Sequence, residues 1–232
     1  IAEQVLMEGK PRWTFMDEKV DSIIYDADGR FLDYTITDEK VDLGTALPSY
    51  YGSLSFNLTL FRDINIYTLF DWQTDVKVYN YTKTYQTFLG NNVEYMEAGA
   101  LIDSLDAMDN YDYSSGKYRN AVKTYTKYDA VFFGAEAGCI EDADFIKLRE
   151  LSISYNASRL LRRYLPNSGL SSLSFSMTAN NLFTWTDYSG PDPEVNSEGS
   201  TVDGDEVYVI RNFDFLTLQH PKRIAFSIQL GL

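Results

Sequence analysis

The side chains best suited to binding chemistry lie at the end of one predicted strand and in the loop that follows it. Trp185 and Tyr188 carry rings that can stack on a sugar, while Asp192 and Glu194 carry carboxylates that can bind a cation or sugar hydroxyls. A solvated acidic loop is the simpler interpretation of the carboxylates. Because loops often carry binding residues, we predict these four as candidate substrate-binding residues.

Three other sets of polar side chains offer weaker binding candidates. Asp203 and Asp205 extend the same acidic loop, and a long earlier loop holds aromatic rings that can face a glycan. A basic turn can contact phosphate at a membrane leaflet, although a solvated turn is the simpler interpretation. The aromatic and basic sets are Tyr111, Tyr113 and Tyr118, and Arg159, Arg162 and Arg163.

No residue pattern in the sequence indicates catalysis. Arg149 and Glu150 can form an ion pair, but nothing positions either as an acid or a base. The single His220 excludes a multi-histidine metal site, and the single Cys139 excludes an internal disulfide. The segment Asp26–Gly29 has too few regularly spaced oxygen ligands for a Ca²⁺ loop, so a plain turn is favoured. We therefore predict a protein that is not an enzyme and has no cofactor or metal.

Composition excludes two broad classes. With 232 residues and a net charge of −14, the chain would repel nucleic-acid phosphates. No run of about 18 apolar residues is present, which excludes a transmembrane helix. The aromatic content of 15% and the mean hydropathy of −0.28 suit a soluble β-sandwich or an outer-membrane β-barrel, whose strands are apolar on one face only.

Five segments alternate apolar and polar residues with the period of a β-strand. The first two are separated only by a short turn and are predicted to form a hairpin, and a phase slip near Glu150 predicts a bulge. Elsewhere we expect turns up to about residue 47, an irregular segment over Asp75–Glu141 with a short helix at Ala98–Met108, and a basic helical turn at Ser158–Leu165. The five segments are Tyr50–Phe61, Ile64–Gln73, Phe145–Tyr155, Leu173–Trp185 and Ile224–Leu232.

The polar faces and the loop lengths favour a membrane barrel. The polar positions of three strands are mostly Ser, Thr, Asn and Gln, which suits a water-filled lumen, and short turns alternate with long loops as periplasmic and extracellular connections do. Trp185 and Tyr188 then fit an aromatic girdle at the membrane surface. Five strands are too few to close a large barrel. We therefore expect a processed chain or a fragment of a longer protein, in keeping with its start at Ile1.

Three segments resemble one family. The runs DADFIKLRELSISYN (Asp142–Asn156) and LSFSMTANNLFTWTDYSGPDPEVN (Leu173–Asn196) are similar to the C-terminal end of SusC/RagA-type TonB-dependent outer-membrane receptors. Leu43–Asn80 resembles the entry of that family into an earlier hairpin. Together these segments cover about a third of the chain.

The resemblance implies an all-β, antiparallel transmembrane barrel of 22 strands, of which residues 1–232 form the C-terminal part, with the plug domain and earlier strands absent. It implies TonB-dependent import of an oligosaccharide or peptide across the bacterial outer membrane by a multi-pass protein. Implied partners are a SusD-like surface lipoprotein, TonB and outer-membrane lipid, with no nucleic acid. Two alternatives remain, namely a soluble secreted carbohydrate-binding β-sandwich and a barrel that acts only as a surface scaffold.

Overall fold

The structure is a computed structural model that describes residues 2–167, 169–197, 201–203, 206–208 and 211–232, with only the backbone of 201–203 and 206–208. The chain divides into two compact units, each built from three chain segments. Unit 1 comprises Ile1–Pro48, Asp75–Ala143 and Tyr188–Thr217. Unit 2 comprises Ser49–Thr74, Asp144–Asp187 and Leu218–Leu232.

Strands make up 42% of the structure and helices 23%, so the prediction of an all-β chain is corrected to a mostly β fold. The strands are β1 (Glu3–Val5), β2 (Thr14–Asp17), β3 (Val20–Tyr25), β4 (Phe31–Ile36), β5 (Val41–Thr45), β6 (Tyr50–Leu60), β7 (Ile64–Thr74), β8 (Lys77–Asn80), β9 (Ile140–Asp142), β10 (Phe145–Asn156), β11 (Ser172–Thr186), β12 (Thr201–Asp203), β13 (Glu206–Tyr208), β14 (Phe213–Asp214) and β15 (Arg223–Gly231). The helices are α1 (Tyr81–Phe88), α2 (Val93–Asp106), α3 (Gly116–Asp129) and α4 (Ser158–Tyr164), with 3₁₀ turns at Ala130–Phe133 and Ala137–Cys139. Within the described part of the chain, no helix is long and apolar enough to cross a membrane.

Unit 2 is a five-stranded antiparallel sheet in the order β15-β11-β10-β7-β6. These are the five strands that the alternation predicts. Phe61 and Arg62 turn β6 into β7 with positive φ angles of 52° and 67°, which is the left-handed geometry of tight hairpins. The predicted bulge is confirmed, because the register of β10 shifts between Leu148 and Glu150 against both neighbouring strands. The predicted basic turn is helix α4.

The described residues of unit 1 form two three-stranded sheets, β1-β2-β5 and β14-β8-β9, and two two-stranded ribbons, β3-β4 and β12-β13, together with helices α1, α2 and α3. The prediction of an irregular segment over Asp75–Glu141 was therefore wrong, and the helix expected at Ala98–Met108 is part of the longer α2. Asn80, Asn92 and Ser115 start the three helices by accepting a backbone N–H bond from the residue three positions on. Much of the buried helical surface is Tyr and Thr, so the 3.6-residue apolar period is weak in the sequence.

The interior of unit 1 consists of three separate apolar clusters. One surrounds the fully buried ring of Tyr79, which contacts the rings of Tyr81 and Phe213 at centroid distances of 5.5 and 5.4 Å. A second packs α2 on α3 through Ile102, Leu105 and their neighbours, and includes the tyrosines that the sequence offered as glycan-facing rings. The third contains Val76, Val78, Ala143, Tyr188 and Val195.

Candidate membrane-facing surface and polar face

One face of the unit 2 sheet is apolar across all five strands. Antiparallel pairing aligns the apolar positions into rows, because side chains alternate between the two faces of each strand. Many of these side chains are exposed, Phe226 at 78% and Ile228 at 65% among them. A central row comprises Leu58, Ile66, Ile153, Met177 and Phe226. We call this the apolar face.

The height of the apolar face matches a bilayer. On β7 it runs from Ile64 to Trp72, and the eight steps between these residues, at about 3.3 Å each, give roughly 26 Å along the strand. Barrels that cross the outer membrane carry an apolar band about 25 Å tall. A soluble protein rarely exposes a contiguous apolar patch that extends over a whole sheet face. The observed face therefore suits lipid better than water.

Two tryptophans lie at one edge of the apolar face. Trp72 and Trp185 flank Ile146 in a single row, and the indole of Trp185 stacks on Phe183 with a centroid distance of 5.9 Å. Gly52 lies opposite Trp72, where an added Cβ would be only 2.5 Å from the indole ring. Glycine therefore lets the indole lie flat across the neighbouring strand. Amphipathic rings at one level are typical of a membrane–water boundary.

The opposite face of the sheet is polar. Ser152 and Thr178 share a hydroxyl–hydroxyl bond of 3.0 Å between neighbouring strands. Arg149 donates from Nε to Oδ2 of Asp71 at 2.7 Å, and the two groups form an ion pair that the sequence did not suggest. The bulge accounts for this contact. Arg149 is the additional residue of β10, with no residue of β7 directly opposite it, so its side chain does not follow the regular alternation.

A polar depression of about 470 Å³ surrounds this ion pair. Two guanidinium groups, two carboxylates and two amides line it, so it can accept and donate hydrogen bonds to a polar ligand. Sequence reasoning missed it, although the phase slip at Glu150 marks its place. The lining residues are Leu69, Asp71, Arg149, Glu150, Asn180, Asn181, Pro221 and Arg223.

The four residues predicted to bind substrate lie in different settings. Trp185 is in unit 2 and half exposed, on the apolar face. The others are in unit 1, where Tyr188 is buried and donates its hydroxyl to Asp214. Burial and this bond to a carboxylate hold the pKa of Tyr188 above its ordinary value. Its ring therefore packs in the core instead of offering a face for stacking.

The acidic loop of unit 1 is ordered by its own carboxylate. Asp192 is buried and accepts the backbone N–H of Glu194 at 3.0 Å, an Asx turn that shapes the loop. Glu194 is partly exposed and is the carboxylate of the pair that a ligand can reach. Asp205 and the side chain of Asp203 lie outside the described part of the structure. Substrate binding by these residues stays a prediction.

The predicted turn at Asp26–Gly29 joins β3 to β4. Oδ1 of Asp26 accepts the backbone N–H groups of Asp28 and Arg30 at 2.9 and 2.8 Å. This carboxylate oxygen therefore stabilises the turn, as expected of an Asx motif. The turn predicted at this place is therefore present, and the expectation that it holds no metal stays a prediction.

A pair of buried carboxylates lies in unit 1. Oδ2 of Asp17 accepts the backbone N–H of Glu136 at 2.7 Å, and the Glu136 carboxylate accepts the N–H of Ala2 at 2.9 Å and the hydroxyl of Tyr79. Burial, reinforced by the negative charge of Glu136, raises the pKa of Asp17 to about 6 although the N–H bond opposes this. The folded unit therefore holds a proton on Asp17 more tightly than an unfolded chain does.

We expect the stability of unit 1 to fall as the pH rises. The contribution from Asp17 is fully present below about pH 4 and is lost as the pH rises through about 6, with a difference of about 3 kcal/mol. Hydrogen exchange of the backbone amides near Asp17 in the full-length protein, measured from pH 4 to 8, would report it. Asp17→Asn keeps the hydrogen-bond acceptor and should remove the pH dependence in this window. An unchanged pH profile in that variant would contradict the assignment.

Comparison with known proteins supports one family. No protein-family model matches the sequence. TonB-dependent receptor P3 of Formosa agariphila is 37% identical over 57 residues, which are 25% of this chain and 5% of that protein. The fold is similar to the RagAB peptide importer in its closed-closed state, with a TM-score of 0.52, 18% identity and coverage of 94% of this chain. A structure of the RagAB peptide transporter gives a TM-score of 0.54 at 16% identity and also covers 94% of the chain.

This chain is similar to SusC/RagA-type TonB-dependent receptors. The similarity confirms the family resemblance and the outer-membrane location predicted from the sequence. The chain spans 5% of the curated receptor and 22–23% of the solved chains.

Proposed function

We propose that this chain forms part of the wall and the extracellular loops of a TonB-dependent importer, which carries an oligosaccharide or a peptide across the bacterial outer membrane. In this proposal unit 2 is the wall and unit 1 is built from the extracellular loops. The exposed apolar face of unit 2 is the observation that carries the proposal. A secreted sandwich would bury such a face against a second sheet, so the exposed face supports the membrane wall over the sandwich.

The opposite face supports passage of a polar solute. Hydroxyls and amides line it, and the polar depression around Asp71 and Arg149 offers charges of both signs. Such groups exchange hydrogen bonds with a passing ligand as readily as water does. Glu194 is the accessible loop carboxylate of the predicted substrate-binding set, and we propose it as a substrate contact in the loops. The place of Trp185 on the apolar face favours the aromatic girdle over substrate contact.

The partners follow from the same proposal. Similarity to the RagAB peptide importer supports a SusD-like surface lipoprotein over the extracellular loops, and similarity to a TonB-dependent receptor supports energy supply through TonB. Both partners would contact the full-length receptor. Deletion of TonB should abolish uptake by cells while leaving the receptor in the outer membrane.

Cysteine labelling of the full-length receptor tests the two faces. Ser176 and Phe175 are adjacent on β11 and point to opposite faces of the sheet. We expect a water-soluble maleimide to label Ser176→Cys at least tenfold faster than Phe175→Cys in intact outer membranes. The buried Cys139 sets the background and is measured in the unsubstituted protein. Equal labelling at both positions would contradict a wall with one face in lipid.

Uptake measurements separate transport from scaffolding. Cells that lack the receptor are expected to lose accumulation of the labelled oligosaccharide or peptide, and the restored gene should return it. A scaffold would instead leave accumulation unchanged while the surface complex dissociates.

A further inference from the structure

A basic and apolar surface lies at the end of the unit 2 sheet where the turns are. Helix α4 connects β10 to β11 there, beside the β6–β7 turn, and Arg159 reaches Asp63 of that turn at 3.1 Å. We call this the turn-end surface. Its exposed members are Phe61, Arg162, Arg163, Leu160, Tyr164 and Leu165.

The charge of the turn-end surface differs from that of the chain. Residues 60–63 and 156–172 carry four arginines and one carboxylate, that of Asp63, which already pairs with Arg159. Unit 1 carries 29 Asp and Glu against 12 Lys and Arg, whereas unit 2 carries 5 against 8. The acidic character of the chain therefore resides in unit 1. Half of the cations of unit 2 lie at this one end.

Helix α4 is held by one side and exposes the other. Leu161 is buried, and Oγ of Ser158 accepts the backbone N–H of Leu173 at 3.1 Å, which fixes the helix against β11. Leu160 and Tyr164 are four residues apart on the exposed side and remain 43% and 69% accessible. Positions four apart share a helix face. Exposed apolar side chains beside arginines are typical of a segment at a membrane interface, because the apolar groups enter the lipid while the cations stay at the headgroups. A turn that is surrounded by water gains nothing from exposing them.

The turn-end surface continues the apolar face. The last rows of that face contain Tyr155, Phe175, Ile228 and Leu230, and the chain passes from β10 directly into α4 after Asn156. If the apolar face lies in the hydrocarbon core of a bilayer, the side chains just beyond its last row lie at the depth of the lipid headgroups. Guanidinium groups at that depth are suited to phosphate, because their planar fork donates two bonds at once.

We propose that the turn-end surface binds the headgroup phosphate of an anionic phospholipid in the leaflet next to the turns, with Arg162 and Arg163 as donors and Leu160 and Tyr164 seated among the acyl-chain ends. This inference rests on the proposed function, because it takes unit 2 as a membrane wall. The site needs both features. The apolar side chains bring the arginines to the lipid, and the arginines select anionic headgroups over neutral ones.

Lipid competition on the full-length receptor tests the proposal. The receptor is placed in nanodiscs that mix phosphatidylglycerol with phosphatidylcholine, and the lipids that it retains on extraction are counted by native mass spectrometry. We expect the unsubstituted receptor to retain phosphatidylglycerol preferentially, and the preference to fall as salt screens the exposed charges. The variant R162Q/R163Q should lower the preference for phosphatidylglycerol about 30-fold, because it removes two positive charges near the membrane surface.

The matched control removes two positive charges elsewhere in unit 2. K222Q/R223Q acts at the start of β15, where Arg223 pairs with Asn180 away from the turn end, and should leave the preference within about twofold of the unsubstituted receptor. An equal loss in both variants, or no loss in R162Q/R163Q, would overturn the proposal. The proposal would also be overturned if R162Q/R163Q lost binding of a TonB periplasmic domain or of peptidoglycan while its lipid preference stayed unchanged. A receptor that does not enter bilayers refutes the proposed function, whereas one that inserts and transports without lipid preference refutes this inference alone.

Discussion

Replacing Phe226 with arginine is expected to destabilise the full-length receptor in a bilayer by about 2–4 kcal/mol, the cost of a lipid-facing arginine near the bilayer centre. Phe226 lies in the central row of the apolar face and is 78% exposed. In a soluble protein the same change would be near neutral, since exposed surface substitutions usually alter stability by no more than about 0.5 kcal/mol. A lipid-facing surface and a water-facing surface therefore predict losses of stability that differ several-fold. Denaturant unfolding in phospholipid vesicles measures the difference.

Ser227→Arg is the matched control for Phe226→Arg. Ser227 is the next residue of β15 and points to the polar face, in the row of Ser154 and Ser176. The same charge at this position remains in water if the lumen is wet, so the loss should stay below about 1 kcal/mol. Similar losses at both positions would contradict a lipid-facing surface.

Replacing Tyr79 with alanine is expected to destabilise unit 1 by about 3–5 kcal/mol, the usual cost of deleting a buried aromatic ring. The Tyr79 ring is fully buried and contacts two other rings, and its hydroxyl donates to the buried carboxylate of Glu136. We expect faster proteolysis within unit 1 of the full-length receptor, with the protein still recovered in the outer membrane. Uptake should fall with the loss of ordered unit 1.

Tyr79→Phe separates the ring from the hydroxyl. The ring contacts remain, while the Glu136 carboxylate loses one donor, so the expected loss is about 1–3 kcal/mol. Equal proteolysis rates for the alanine and phenylalanine variants would show that the ring contributes little. A receptor absent from the membrane in the alanine variant would mean that unit 1 is needed for insertion.

The five strands of unit 2 are the part of the fold that the sequence predicts well. Alternation alone identifies the five strands of unit 2 and assigns their side chains to two faces, and the phase slip at Glu150 marks the observed bulge. Unit 1 is the part that alternation does not predict. Its helices start at Asn and Ser caps and bury tyrosines and threonines, which a search for aliphatic periodicity passes over.

The candidate binding residues show the same limit. The sequence places Tyr188 and Asp192 in an acidic loop, where both look available to a ligand. The structure buries them, because Asp214 lies 26 positions beyond Tyr188 and folds back to accept its hydroxyl. The Asp71–Arg149 ion pair joins residues 78 positions apart. Contacts at such separations leave no local pattern to detect.

By itself, the sequence determined the strands, their two faces, the tight turn and the family resemblance, since strand period and turn chemistry are properties of adjacent residues. Only the tertiary structure decided which polar groups meet. The pairing of Asp17 with Glu136, across 119 positions, depends on the packing of unit 1. The alignment of Trp72 with Trp185 depends on the register of three strands. Register and packing are set by the whole chain at once, because each contact is stable only when the others are formed.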